Sequence, residues 1–305
     1  MTLTLLVLLT IITAATPLLL AAMGEHVVEQ SGVLNLGVEG MMIVGASAAF
    51  AVAILTGSSV LAIMAGVASG VLLSGLFAVF AVWFAANQVA SGLALTILGL
   101  GIANLLGAGF VGMKRDTISS LYVPVLTDLP VVGKLIFGQD PFVYISIALA
   151  LAIAFWLKQT RSGLILRAVG DNHASAHAIG HDVRVIRTRA ILFGGACAGL
   201  SGAYLSLIYT PFWSPGMTAG RGWIALAIVV FAGGRVWRLV FGAYLFGSMS
   251  VLQLHAQAGA IGLPSQFLSA LPFIATILAL VVLAWRDKRR QGAVGSFGQP
   301  FIPDR

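Results

Sequence analysis

The segment Val60–Phe84 reads VLAIMAGVASGVLLSGLFAVFAVWF, a run of 25 residues without a charged side chain. A transmembrane helix needs about 20 predominantly apolar residues to cross a bilayer core of about 30 Å. A strand of an outer-membrane barrel would instead alternate apolar and polar residues over about 10 positions, and this segment does not. The segment therefore predicts a membrane-spanning α-helix.

The composition of the whole chain agrees with this segment. Of its 305 residues, 59% are hydrophobic and 9% are charged, whereas a soluble domain carries about 25% charged residues. The few charges are separated by long apolar runs, so they cannot cover a surface that faces water. The sequence therefore predicts an all-α, polytopic transmembrane helix bundle and excludes a soluble domain.

Apolar runs of this kind predict about nine crossings, within a range of roughly eight to ten. The runs that begin at Val33 and Trp223 are candidates for broken or re-entrant helices. The predicted spans are Leu3–Met23, Val33–Leu55, Val60–Phe84, Val89–Gly107, Phe142–Leu157, Ala190–Tyr209, Trp223–Gly233, Leu239–Ala256 and Phe267–Trp285. We expect one transmembrane domain over residues 1–290, including a cytoplasmic loop at 158–189, and a short cytoplasmic tail at 291–305.

The basic residues predict the orientation of the bundle. Of the 17 Lys and Arg residues, 13 lie in the loop at 158–189, around residues 235–238 and in the C-terminal tail. Cytoplasmic loops of membrane proteins carry an excess of Lys and Arg. We therefore expect these three regions, and the C-terminus, in the cytoplasm. The net charge of +7 does not indicate nucleic-acid binding, because no single face of the chain is dense in basic residues.

Polar side chains within the apolar runs are candidate functional residues, because an ionisable group in the bilayer is costly to bury. Glu39 lies with Asn35 in GVLNLGVEG (32–40), which contains three glycines. This pattern indicates an interrupted helix that lines a protein-buried polar path; the alternative is a solvated Glu39 near the interface. Asn87 and Ser91 share one face of the next polar span, where simple interhelical hydrogen bonds are the alternative.

Two further groups of residues have a structural and a functional interpretation. Small residues at every fourth position indicate close helix packing: Ala62, Gly66, Gly70 and Ser74 in one span, and Gly195, Gly199 and Ala203 in another. Aromatic residues around two prolines indicate either an interfacial belt or a stacking surface for a flat solute: Tyr204, Tyr209, Phe212, Trp213 and Trp223.

Motifs for catalysis and for metal binding are weak in this sequence. It has no GxxxxGK[ST] phosphate loop and no HExxH pair, so we expect no enzyme activity and no cofactor in this chain. His173, His177 and His181 follow a helical spacing that can bind zinc, but Gly180 is expected to end that helix. We therefore favour solvated histidines over a metal site. Proton-coupled carriers more often bury several carboxylates, and Glu39 stands nearly alone here.

The loop after the fifth predicted span reads TRSGLILRAVGDNHASAHAIGHDV (160–183). It closely resembles the T-x-x-G-x-x-L-R-A-V-G-x-N-x-x-A-A-x-x-x-G-I-x-V signature of permease subunits of bacterial ABC importers for branched-chain amino acids, ribose and nucleosides. Three other stretches resemble the nucleoside and simple-sugar permeases of this class: GVLNLGVEGMMIVGA (32–46), NQVASGLALTILGLG (87–101) and GWIALAIVVFAG (222–233). The resemblance covers essentially the whole chain. It departs at His177, where Ala is usual, and at 181–183, where Ile-x-Val is common.

The resemblance implies an importer permease of the bacterial inner membrane that forms half of a pathway for a nucleoside or simple sugar. It also implies three partners: a cytoplasmic subunit that binds and hydrolyses ATP, an external solute-binding protein, and a second permease, either a paralogue or another copy of this chain. A secondary transporter or channel for a small polar solute, without coupling to ATP, is the alternative.

The resemblance and the polar pattern together give two sets of site residues. We expect the solute pathway to be lined by Asn35, Glu39, Asn87, Ser91 and Trp223. We expect the ATPase to receive a short helix around Ala176, which is bounded by Gly170 and Gly180 and braced at its entry by Arg167 and Asn172.

Overall fold

Helices account for the regular structure of the computed structural model, which describes residues 3–122, 124, 127, 132–258, 270, 274, 277, 278, 281 and 294–302. The helices in chain order are α1 (Leu3–Gln30), α2 (Val38–Thr56), α3 (Ser59–Ala78), α4 (Gln88–Gly107), α5 (Val132–Ile136), α6 (Pro141–Gln159), α7 (Arg161–Asp171), α8 (His173–Ala178), α9 (Val183–Tyr204), α10 (Arg221–Ala232) and α11 (Val236–Ala258). Short π-helical turns extend α3 over Val79–Trp83 and α9 over Leu205–Tyr209, and a 3-10 turn, Ala108–Phe110, extends α4.

Seven helices in the described part of the chain are long and apolar enough to cross a membrane: α1, α2, α3, α4, α6, α9 and α11. Helix α10 has 12 residues, which cover roughly 18 Å of a bilayer core of about 30 Å. The predicted span Phe267–Trp285 lies mostly outside the described residues. The all-α polytopic bundle is confirmed, and the predicted count of about nine spans is approximate.

Helices α1, α2 and α9 form the centre of the bundle. In α2 and α9, 72% of the span is buried, and in α1 56%, whereas the spans of α3, α4, α6 and α11 are 28–33% buried. Helix α1 continues past the predicted end at Met23 to Gln30. Its last two turns are therefore part of the buried centre and not a loop.

The two ladders of small residues pack against each other. A Cβ atom added to Gly66 would lie 2.9 Å from the Cβ of Ala203, and the backbone beside Gly70 belongs to Gly195 and Gly199. Helices in lipid gain no hydrophobic free energy from association, so their stability depends on close contact of this kind. The predicted packing role of both ladders is confirmed, and it joins α3 to α9.

Different segments of the chain meet at the two ends of the bundle. At one end, the amide of Ser296 in the tail donates to the carbonyl of Gly170 in α7, at 2.9 Å. At the other end, the Arg115 guanidinium donates to the carbonyl of Gly57, and the Arg115 amide donates to the carbonyl of Pro211. We call the first the coupling end, which contains α7, α8 and residues 294–302, and the second the far end.

Candidate functional site

The chain between α1 and α2, residues 31–37, is a non-helical break inside the bundle. The amide of Leu34 donates to Oε1 of Gln88 at 2.8 Å, and Oγ1 of Thr96 donates to the carbonyl of Leu36 at 2.9 Å. Non-helical backbone at membrane depth is tolerated where protein groups satisfy its donors and acceptors, and side chains of α4 do so here. The predicted interruption of this helix is confirmed.

Asn35, within the break, is buried and bonded to protein on both sides of its amide group. Its Nδ2 donates to Oε2 of Glu25 at 3.1 Å, and its Oδ1 accepts from the amide of Gly37 at 2.9 Å. Glu25 on α1 is buried as well. The expectation that Glu39 stands nearly alone is therefore wrong. The sequence does not reveal Glu25 as a buried residue, because the predicted first span ends at Met23, before this carboxylate.

Glu39, in the first turn of α2, is 6% exposed and joins α2 to α10. Its Oε1 accepts from Oγ1 of Thr218 at 2.6 Å and from the amide of Gly220 at 2.9 Å, and its Oε2 accepts from the amide of Gly222 at 2.6 Å. These donors lie in and just before the first turn of α10, where a helix carries partial positive charge. Glu39 thus caps a distant helix and is not solvated at the interface.

Helix α10 starts within the bundle because Glu39 meets its first turn there. A Cβ atom added to Gly222 would lie 2.5 Å from the Cα atom of Glu39, so only glycine permits this approach. Trp223 follows Gly222 and is half-buried. The structure therefore brings together Asn35, Glu39 and the helix that carries Trp223, around the break and the N-terminus of α10; we call this region the Glu39 junction.

Asn87 and Ser91 lie on a different surface, at the start of α4. Exposed Asn87 caps this helix, since its Oδ1 accepts from the amide of Ala90 at 3.0 Å. Ser91, one turn further on, lines a groove of about 350 Å³ with Leu76 and Phe80 of α3. The residue after Asn87, Gln88, contacts the break. The side chains of Asn87 and Ser91 themselves do not lie in the Glu39 junction.

The aromatic residues around the two prolines differ in exposure, and among them only Phe212 is exposed. Trp213 and Tyr204 are buried, and the Tyr204 hydroxyl donates to Oδ2 of Asp140 at 3.2 Å. Burial raises the pKa of the Asp140 carboxyl, which also caps α6. The Arg221 guanidinium lies over the ring of Tyr209, 5.0 Å from its centroid. These rings serve packing and electrostatic contacts within the chain.

The loop at 158–189, which we call the coupling loop, contains α7 and α8, and the boundary between these helices differs from the predicted one. Oδ1 of Asn172 accepts from the amide of Ser175 at 2.9 Å, so Asn172 caps α8 and the short helix begins at His173. Gly170 lies inside α7, against the carbonyl of Gln30; its predicted role as a helix boundary is wrong because the Asn172 cap takes that role. Gly180 follows the end of α8 with a φ of +95°, as expected.

The tail covers the inner face of α8. The ring of Phe301 packs edge-on against His173 and His177, with centroids 5.3 Å and 5.2 Å away. Phe301 and Ala176 belong to one buried apolar cluster. Ala176, the residue expected at the ATPase, is thus covered by the chain's own tail, whereas Ile179 at the loop tip is 73% exposed.

The three histidines of this loop do not lie together in the structure. His181 lies beyond Gly180 and lines a groove between α6, α7 and α9, away from Phe301. The described residues contain no group of three His, Cys, Asp or Glu side chains placed to hold a metal ion. The helical spacing of the three histidines therefore does not correspond to one helical face, because α8 ends at Ala178.

Arg187, near the start of α9, connects the break, the tail and the coupling loop. Its buried guanidinium donates to the carbonyl of Ser31 at 3.2 Å and to the carbonyl of Gln299 at 2.9 Å, and its Nη2 lies 3.4 Å from Nδ1 of His173. Arginine has no acceptor atom, so Nδ1 of His173 accepts this bond. Burial, together with Arg187, lowers the pKa of His173.

Comparisons with known proteins identify the family. Residues 7–280 match the family described as the permease component of branched-chain amino acid transport systems. The chain is 38% identical over 305 residues to a putative glucose ABC transporter permease of Haloferax volcanii, with 93% of each chain covered. It is 33% identical to a guanosine ABC transporter permease of Bacillus subtilis (87% and 88% covered) and 31% identical to a nucleoside ABC transporter permease of Lactococcus lactis (88% and 89%). The chain therefore belongs to this permease family and is a membrane permease subunit of an ABC importer.

Proposed function

We propose that this permease forms half of the pathway for a neutral polyol-like solute, a nucleoside or simple sugar, delivered by an external binding protein. A second permease forms the other half, and separate cytoplasmic subunits hydrolyse ATP. The observation that carries the proposal is the Glu39 junction, where a helix break meets a half-length helix inside the bundle. Transporters bind and pass solutes at discontinuous helices of this kind. The glucose, guanosine and nucleoside permeases among the relatives support the solute class.

The charges at the Glu39 junction favour a neutral solute. The N-terminus of a half-helix is a ready site for an anion, but the Glu39 carboxylate already occupies that of α10. Glu25 has Asn35 as a partner, so both carboxylates described there are engaged within the protein. A neutral solute needs exchangeable hydrogen bonds, which amide, hydroxyl and indole groups provide.

The proposed pathway uses the five polar residues in two ways. Asn87, Ser91 and Trp223 are exposed or half-buried, so they are available to contact the solute. Asn35 and Glu39 are buried and hold the wall behind it in shape. The contacts are weak and distributed, which allows the solute to leave after each conformational change.

The tip of the coupling loop is the proposed contact with the ATPase. Ile179 at this tip is 73% exposed, so it is accessible to a partner, and the loop around it is rich in basic residues. Ala176 supports α8 from beneath through Phe301, and Asn172 fixes where the helix begins. The excess of Lys and Arg at this end supports a cytoplasmic position for it, on the side where the ATPase acts.

Uptake by the reconstituted complex tests this function. The permease, with its ATPase, its partner permease and its binding protein in proteoliposomes, should take up guanosine or glucose only with ATP, and an uncoupler should not prevent it. Ser91→Leu should lower uptake about tenfold or more, because it adds an apolar side chain to the pathway, whereas Ser69→Leu, a half-buried serine on α3, should not.

Two results would contradict the proposal. Uptake that follows a proton gradient without ATP would favour the secondary-transporter alternative. Normal uptake by Ser91→Leu would remove the α3–α4 groove from the pathway and leave the family unchanged.

A further inference from the structure

A cavity of about 590 Å³ lies at the coupling end, between α6, the middle of α7 and the start of α11. Neither the Glu39 junction nor the tip of the coupling loop contributes to it. Four basic side chains line it: Lys158, Arg167, Arg235 and Arg238. The described residues that line it include no Asp or Glu. Four like charges around one space repel each other unless an anion lies between them.

Two further features of the cavity also favour an anion. Nε of Arg167 is buried and has no hydrogen-bond partner among the described residues, and a buried donor without a partner is costly. The first residues of α11, Val236–Arg238, line the same space. The N-terminus of a helix carries partial positive charge and attracts negative groups. An anion with several acceptor oxygens would supply the missing partner.

The walls of the cavity indicate that this anion is part of a lipid. Leu157 of α6 and Trp237 of α11 form an apolar side, and Trp237 is 60% exposed. Both residues lie close to one end of a candidate span, and tryptophan near the end of a span is typical of a membrane-surface anchor. Basic pockets between transmembrane helices on the cytoplasmic side are suited to anionic lipid headgroups.

We propose that this cavity binds the phosphate headgroup of an anionic phospholipid from the cytoplasmic leaflet, with acyl chains against Leu157 and Trp237. The lipid links α6, and α7 of the coupling loop, to the loop that joins α10 and α11. It therefore supports the connection between the coupling loop and the half-helix capped by Glu39. The choice of leaflet rests on the proposed orientation, but binding itself does not.

Lipid binding to the purified full-length permease tests the proposal. Delipidated protein is titrated in detergent with phosphatidylglycerol and, separately, with phosphatidylcholine, and bound lipids are counted by native mass spectrometry. Phosphatidylglycerol should bind roughly tenfold more tightly or better. The double variant Arg235→Gln, Arg238→Gln should lose this preference, and the corresponding double lysine variant should keep it. Arg161→Gln removes an exposed cation of α7 outside the cavity and should also keep it.

Several results would overturn the proposal. Equal affinity for the two lipids would show that the cavity does not select an anionic headgroup. Competition by inorganic phosphate as effective as that by phosphatidylglycerol would identify a free-anion site. An equal loss in Arg161→Gln would show diffuse surface charge, and displacement of the lipid by the ATPase would assign the cavity to a protein partner. If the double glutamine variant does not fold, Lys158→Gln, which changes an exposed side chain, decides the same question.

Discussion

The Glu39 junction and the coupling loop differ in how their exposed or buried groups are satisfied: the junction is saturated with hydrogen bonds within the chain, whereas the loop tip faces solvent. At the junction, one carboxylate accepts three hydrogen bonds from the chain itself, and α4 side chains satisfy the backbone of the break. At the coupling loop, Ile179 is left open to solvent. An unpaired polar group costs several kcal/mol in a bilayer and little in water. The polar groups of the interior must therefore form hydrogen bonds within the chain, whereas the loop can leave a surface open for a partner.

The tail connects these two regions. Arg187 bonds to the break at Ser31 and to the tail at Gln299, and the tail in turn packs Phe301 beneath α8. A displacement of α8 by a docked partner therefore acts on residues adjacent to the break. This arrangement gives the coupling loop a physical connection to the wall of the proposed pathway.

The largest effect is expected from Glu39→Leu. The change leaves the donors of Thr218, Gly220 and Gly222 without their buried acceptor, at about 1–3 kcal/mol each. We expect little folded protein, measured by size-exclusion chromatography and thermal unfolding in detergent.

Glu39→Gln is the matched control for this variant. The carboxamide keeps one acceptor oxygen but turns an NH₂ group toward one of the donors, so we expect a loss of about 1–3 kcal/mol. If Glu39→Leu unfolds at the same temperature as the wild type, the cap is not what holds α10 in place.

The sequence predicted the break but not its partner. The three glycines with Asn35 and Glu39 identified an interrupted helix, because local composition is sufficient for that inference. The contact of Glu39 with Thr218 spans 179 positions, and no periodicity in one sequence relates such distant residues. The docking of the tail was missed for the same reason, since Phe301 stands among glycine and proline residues typical of a free end.

Removal of the Phe301 ring should have an intermediate effect. Phe301 is 6% exposed, and Phe→Ala at a buried site costs about 3–5 kcal/mol. Since a tail can detach without unfolding the bundle, we expect the loss as detachment, measured as faster cleavage of the tail in limited proteolysis.

Phe297→Ala serves as the control within the same tail, because Phe297 is 39% exposed. It should change the cleavage rate far less. Equal cleavage rates for the two variants would show that contact with α8 does not hold the tail.

The smallest effect is expected from pH. The folded pKa of His173 lies below its usual value, so the unfolded chain binds more protons as the pH falls below about 6.5. The contribution of this residue to stability is therefore complete above that pH and decreases as the solution becomes more acidic, because burial and then the neighbouring Arg187 disfavour a protonated His173. Thermal unfolding of the wild type should lose more stability between pH 7.5 and 5.5 than that of His173→Gln. Identical slopes would contradict a lowered pKa of His173 in the folded protein.

Labelling of the loop tip tests most directly the claim that this loop docks a cytoplasmic partner. The chain has one cysteine, Cys197, which is buried, so Ile179→Cys introduces the accessible thiol and Ala176→Cys is the buried control. With a membrane-impermeant maleimide, Ile179→Cys should react in inside-out vesicles and not in intact cells, the ATPase subunit should protect it, and Ala176→Cys should not react in either preparation. Labelling of Ile179→Cys in intact cells would contradict the cytoplasmic position of the loop. Equal labelling with and without the ATPase would contradict its docking to that subunit.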